Sequence, residues 1–178
     1  MQTGNRVEVL EIFWYHCPHC YAMEPIIEKW IAKRKPDYVE LRRLPGVFRR
    51  ETEFDARVYF AAAQMGIVER IHSGVYQEIH VRRNRFRSLD DLDFLLGRND
   101  IDPQAFAKAF HSNQVDARMK YAETMYEKYE ASGVPTIIVD GRYRTTASAA
   151  GGYEALMDVT EFLVKKAASE RGSLRVSR

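Results

Sequence analysis

The sequence predicts an α/β fold, and three patterns in it carry that prediction. An apolar run, Val7 to Phe13, leads into a helix-like pattern from Pro18 to about Arg34 and then into a second strand-like run, Tyr38 to Leu44. From Thr52 to about Ser132 every segment has helical spacing. The chain then closes with a short strand at Ile137 to Val139, a turn at Asp140-Gly141, a returning strand at Arg142 to Thr146 and a helix from Gly151 to Ala168.

Val7, Val9, Glu11 and Phe13 share one face of the first strand, with Glu8, Leu10 and Ile12 on the other. Apolar groups on both faces suit a central strand covered by helices. The helix that follows sets Tyr21, Ile26, Ile27, Trp30 and Ile31 toward a core, and Pro25 is expected to bend it because the ring excludes one backbone hydrogen bond. This helix is long enough for the crossover of a parallel β-α-β unit. Within the helical block, Glu53 to Met65 stops at Gly66, and Val68 to Val81 follows despite Gly74. Ser88-Leu89-Asp90-Asp91 resembles a capping box opening a helix through Leu96, and Asp102-Pro103 opens another with Asp as N-cap. The last helix of the block runs from about Val115 to Ala131, and the polar stretch Arg171 to Arg178 is expected to be a disordered tail.

A chain of 178 residues at 46% hydrophobic content supports one domain, or one domain with an insertion. Lys+Arg 27 against Asp+Glu 25 leaves a formal charge of +2, which gives no reason to expect nucleic acid as a partner. His80-Val81-Arg82-Arg83-Asn84-Arg85-Phe86-Arg87 is the one dense basic run and reads as a solvated loop. His72 and His111 have no cluster at metal-ligand spacing around them.

Both cysteines of the chain lie in Phe13-Trp14-Tyr15-His16-Cys17-Pro18-His19-Cys20-Tyr21. Cys17 falls at a strand-to-helix junction, where the unpartnered N–H groups and positive dipole of a helix N-terminus favour a thiolate. That makes Cys17 the expected nucleophile. Pro18 suits the first turn, and Cys20, three residues on, is on the same side of it. A structural disulfide would close too short a loop to stabilise much, and a zinc site through His16, Cys17, His19 and Cys20 lacks a second ligand cluster. Haem attachment requires His where Tyr21 stands. A redox pair fits best.

Cys17-Pro18-His19-Cys20-Tyr21, preceded by Val9-Leu10-Glu11-Ile12-Phe13, resembles the DsbA family of thiol:disulfide oxidoreductases, in which Pro-His is the characteristic dipeptide within the motif. Gly133-Val134-Pro135-Thr136 resembles the same family's cis-proline loop, followed by a strand and a turn. The resemblance runs from about Val7 to Ala168 and implies a thioredoxin fold with an inserted all-helical domain. Residues 1–50 would be the first half of the thioredoxin domain, 51–132 the insertion, 133–169 the second half and 170–178 a flexible tail.

The resemblance also implies an activity: donation of the Cys17–Cys20 disulfide to reduced, exported proteins, with reoxidation by a DsbB-like, quinone-linked membrane protein and no bound cofactor or metal. Reductase or isomerase chemistry, and a non-catalytic chaperone module, use the same surfaces and stay open. His19 is expected to stabilise the Cys17 thiolate, while Trp14, Tyr15 and His16 border the sulfur and contribute substrate surface. Val134, before a cis Pro135, would pair its backbone with an extended substrate beside Cys17. Glu11 reads either as a solvated carboxylate or, by resemblance, as a buried acid with raised pKa relaying a proton to Cys20, and the second reading is preferred. Arg42 and Arg43 stand where the family often has Lys and read as solvated arginines. No apolar run approaches about 20 residues, and Met1 to Asn5 lacks the core of a secretory signal, which alone would place the chain in the cytosol. The resemblance implies the periplasm, a monomer, and a natural chain that begins before residue 1.

Overall fold

The computed structural model describes residues 4–176. Its elements follow the order β1 (Val7–Phe13), α1 (Pro18–Lys33), β2 (Val39–Pro45), α2 (Arg50–Gln64), α3 (Val68–His80), α4 (Asp93–Arg98), α5 (Pro103–Phe110), α6 (Asn113–Lys128), β3 (Thr136–Val139), β4 (Tyr143–Thr146), α7 (Ala147–Ala150) and α8 (Tyr153–Val176). Among the described residues they form two compact units, one made of residues 4–13, 22–44 and 131–176, the other of residues 14–21 and 45–130.

The first unit contains a four-stranded sheet in the order β2-β1-β3-β4. β3 lies antiparallel to β1, with Val9 opposite Val139 and Glu11 opposite Ile137, and β4 returns antiparallel to β3. The expected turn joins them: Asp140 and Gly141 both have positive φ, 56° and 66°, which favours residues tolerant of the left-handed region. Every residue of β1 is buried, as a strand with apolar groups on both faces requires. Its Val7 and Val9 join Met23, Ile27 and Trp30 of α1 and Leu156, Met157 and Val164 of α8 in one core. α1 runs through Pro25 without a break. Trp30 Nε1 donates to Glu161 at 3.0 Å and Arg34 pairs with Asp158 and Glu161 at 2.6 and 2.8 Å, so polar bonds as well as packing hold α1 to α8.

Where the sequence ends the helix at Ala168 and reads a disordered tail from Arg171, α8 continues to Val176. The reason is a long-range partner: Arg171 Nε donates to Asp140 Oδ2 at 3.0 Å, in the β3–β4 turn, and its Nη1 donates to the Arg6 carbonyl at 2.9 Å. Ser177 and Arg178 lie outside the described residues.

The second unit is helical, with α2 contacting α3, α5 and α6, and α3 packed on α4. Asp102 caps α5 as its sequence predicts, accepting from Gln104 N at 3.0 Å. The Ser88 capping box differs from expectation: Asp91 does reach back to the Ser88 N–H at 3.0 Å, yet the segment forms a 3-10 turn over Asp90–Leu92 before α4 begins. Gly74 inside α3 has a packing reason. A Cβ there would meet Leu95 Cδ1 of α4 at 2.6 Å, and this close approach offsets the roughly 1 kcal/mol that glycine loses to alanine within a helix. Among the described residues no helix is long and apolar enough to cross a membrane.

Candidate active site

Cys17 is the N-cap of α1. Its N–H donates to the Trp14 carbonyl at 3.0 Å, closing the turn that leaves β1, and its carbonyl accepts the first helical bond from Tyr21 N at 3.1 Å. A sulfur at this position stands where the side-chain oxygen of a capping Ser or Asp usually does, so the N–H groups of the first turn point at it. The electrostatics follow. The Cys20 thiol is the main donor to the Cys17 sulfur; together with the backbone N–H groups of Cys20 and His19 and the charge of His19, it outweighs burial and lowers the Cys17 thiol from 9.0 to about 6. Both cysteines are thiols in the structure, and they differ in access, with Cys17 6% exposed and Cys20 fully buried. Pro18 and His19 lie on the surface. Among the described residues no three His, Cys, Asp or Glu side chains gather as a metal-ligand set.

The turn before Cys17 is fixed by the helical unit. His16 donates through Nδ1 to Asp55 Oδ2 of α2 at 2.7 Å and through Nε2 to the Arg85 carbonyl at 3.0 Å, while its backbone N–H reaches the same Asp55 oxygen at 3.2 Å. Both ring nitrogens therefore face acceptors, an arrangement that only the imidazolium satisfies fully. Burial lowers the His16 pKa, but the hydrogen bond and charge of Asp55 and the Arg85 carbonyl more than compensate and raise it. Asp55 also moves up, for another reason: burial dominates and His16 offsets it only in part. Next to it, the His80 Nε2–H donates to the Tyr15 carbonyl at 2.7 Å, and the Tyr15 hydroxyl shares a 2.8 Å hydrogen bond with His72 Nδ1. Tyr15 is buried and so contributes no substrate surface, contrary to expectation, whereas Trp14 and His16 remain partly exposed. His80, read from sequence as part of a solvated run, is a structural donor; the arginines after it are exposed.

We expect Asp55→Asn to lower the His16 pKa, because an amide N–H can donate to a neutral Nδ1 and the remaining Nε2–H still serves Arg85. Imidazole NMR titration of wild type and variant checks this, and an unchanged midpoint would refute it.

In the sheet unit, the acid and arginines singled out in the sequence also meet, and here the reading of Arg43 needs correction. Its side chain is only 8% exposed, with Nε 3.3 Å from Glu11 and Nη2 2.9 Å from Glu24 and 2.7 Å from Glu28. Two glutamates and the Glu11 carboxyl gathered on one guanidinium explain its burial. Arg42 is partly exposed and pairs with buried Glu8 at 3.0 Å. Glu11 is fully buried, and desolvation raises it from 4.5 to about 8 even though Arg43 pulls the other way. The guanidinium thus moderates the shift without abolishing it. At the start of β3, the Val134–Pro135 bond is cis, and Thr136 Oγ1 donates to the Gly133 carbonyl at 2.7 Å.

Comparison with known proteins adds the family. The model of the DSBA-like thioredoxin domain matches residues 8–159. The chain belongs to this DsbA-like family. It is 33% identical over 162 residues to the thiol:disulfide interchange protein DsbA of Azotobacter vinelandii, covering 91% of this chain and 75% of that one. The crystal structure of Pseudomonas aeruginosa DsbA superposes with a TM-score of 0.88 at 29% identity, covering 98% of this chain and 89% of the other. The oxidoreductase DsbA from Xylella fastidiosa gives 0.88 at 28% identity, covering 95% and 90%. With its Cys17–Cys20 pair, this DsbA-like chain is a thiol:disulfide oxidoreductase with the thioredoxin-like fold of its family.

Asp55 is the member of the site that sequence reasoning missed. A signal was present: Asp55, Val58 and Ala62 recur at helical spacing, so a carboxylate sits on the buried stripe of α2. What no periodicity could supply in a DsbA-like chain is its partner, His16, 39 residues earlier.

Proposed function

We propose that Cys17 is the sulfur that clients attack, and that the protein acts as a disulfide donor in oxidative folding. A client thiolate attacks Cys17 Sγ, the Cys17–Cys20 bond breaks, and Cys20 leaves with the electron pair and takes up a proton. A second client thiolate then attacks the client sulfur of the mixed disulfide and expels the Cys17 thiolate. The client loses two electrons, and two protons as its thiols ionise; the protein ends reduced, with Cys17 as thiolate and Cys20 as thiol. We assign the proton taken up by Cys20 to Glu11, because burial keeps that carboxyl protonated to about pH 8. His19, exposed in the first turn of α1, adds to the charge that favours the thiolate, and Pro18 starts that turn without losing a hydrogen bond. Val134 and Pro135, by their place before β3, are assigned to the client backbone, and His16 to the client-facing rim.

The observation that carries this reading is the N-cap position of Cys17. A thiolate stabilised there favours the reduced protein and makes its disulfide the more oxidising. Family membership supports the remainder: action on exported proteins in the periplasm and reoxidation by a DsbB-like, quinone-linked membrane protein.

The test is the reduction potential, read in graded glutathione buffers from the fluorescence of Trp14, three residues before Cys17. A value well above that of the glutathione pool is the expected result. A thioredoxin-like reducing value would move the same pair to reductase chemistry.

A further inference from the structure

The exposed arginines after α3 have no part in the chemistry above, yet they do not simply face solvent. Arg85 and Arg87 line a cleft of about 690 Å³ together with Arg50, at the start of α2. Its apolar wall is made by Trp14, Phe54 and Phe86, and His16 completes the lining. The cleft therefore adjoins the reactive pair through the backbone itself: His16 is one peptide from Cys17 and Trp14 three, so their Cα atoms lie within about 4 to 11 Å of that of Cys17.

Its charge is one-sided. Among the described residues none of Arg50, Arg85 and Arg87 forms an ion pair, and all three are exposed. The only carboxylate in the lining, Glu51, lies 4.0 Å from Arg49, outside the cleft. Asp55, which faces His16, is already engaged by that imidazole. Three unpaired guanidinium groups over aromatic walls attract carboxylates and accommodate the apolar stems that carry them.

We propose that this cleft is a specificity subsite for clients, taking Asp or Glu side chains from the stretch flanking the client cysteine. An extended chain advances about 3.3 Å per residue, so a cysteine engaged at Cys17 brings positions within about four residues of itself to the cleft. The inference rests on the disulfide-donor reading and deepens it: acidic clients are oxidised ahead of basic ones.

The experiment uses three peptides with the same cysteine pair and Glu, Gln or Lys at the flanking positions. Oxidation by the disulfide form is followed in stopped flow, and each rate is divided by the same protein's rate with dithiothreitol, an uncharged dithiol. We expect the Glu peptide to outrun the Lys peptide by about tenfold at low salt, with the ratio falling toward one as salt shortens the screening length from about 10 Å at 0.1 M to about 3 Å at 1 M. In the variant carrying Arg50→Glu and Arg87→Glu the order of the peptides reverses. Equal normalised rates for the three peptides in the wild type, or an unchanged order in the variant, would overturn the subsite. Failure to oxidise dithiothreitol itself would instead remove the donor reading on which it rests.

Discussion

Cys17→Ser is expected to abolish disulfide exchange with client peptides and with small dithiols, and to erase the thiolate absorbance that the reduced wild type gains with a midpoint near pH 6. Both effects have one source. Cys20 is fully buried and cannot replace Cys17 as the attacked sulfur, and serine in the N-cap keeps the helix capped without supplying a nucleophile of comparable acidity. Cys20→Ser is the informative counterpart. It retains the accessible sulfur but replaces the chief hydrogen-bond donor to it, so alkylation by iodoacetamide should persist while the Cys17 midpoint changes. The pH dependence of stability has a definite sign. Because the folded midpoint lies below the ordinary thiol value of 9.0, the unfolded chain holds more protons between the two. Stability contributed by this thiolate is complete above about pH 9, and it is lost as pH falls through about 6. Denaturant melts of the reduced wild type and of Cys17→Ser at pH 5, 7 and 9 should diverge as pH rises. Parallel profiles, or normal exchange by the serine variant, would remove Cys17 from the role assigned to it.

The second large effect is expected at Arg43. Arg43→Met should destabilise the protein by about 3–5 kcal/mol, because it leaves Glu24 buried without its cation and takes from the Glu11 carboxyl its charged neighbour. The cluster is asymmetric: Glu28 is half-exposed and regains water, while the other two cannot. Pairing the change with Glu11→Leu should recover part of the loss, since the carboxyl that suffers most from burial is then gone. Here too pH discriminates. A Glu11 pKa raised to about 8 means that the folded chain holds the extra proton, so this group favours the fold fully below about 4.5 and loses that contribution as pH rises through about 8. Removing Arg43 should raise the Glu11 midpoint further, so the variant goes on losing stability above about pH 8, where the wild type levels off. Chemical denaturation of the wild type and of the single and double variants from about pH 6 to about pH 10 reads both effects; a loss near zero for Arg43→Met would show that the ion cluster does not hold this end of the sheet unit together.

Much of this was legible before any coordinates. The run Val7 to Phe13, apolar on both faces, announces a covered central strand, and a charged residue inside it announces Glu11 as buried, which it is. Pro18 after Cys17 marks the helix start on which the thiol chemistry depends, and Asp140-Gly141 marks the hairpin. These signals are local, written in neighbouring residues. What escaped is pairwise and distant. Arg43 reads as solvated because arginine is seldom buried, and only the fold brings Glu11, Glu24 and Glu28 to it. The end of α8 reads as a tail because Arg171 gives no hint of Asp140, 31 residues away. The same holds for Asp55 and His16. Charge identifies a residue that needs a partner; it does not identify the partner.

The N-cap at Cys17 has a mechanical side. When Cys17 is a thiolate, the first turn of α1 has an anionic acceptor for the amides of His19 and Cys20; when its sulfur is tied up in a disulfide, with Cys20 or with a client, that acceptor is neutral and weak. Each round of exchange therefore uncaps and recaps a helix of 16 residues at its N-terminus. The oxidised protein stores the difference, and handing the disulfide on restores a well-terminated helix. The bond that ordinarily tightens a protein here relaxes it by leaving.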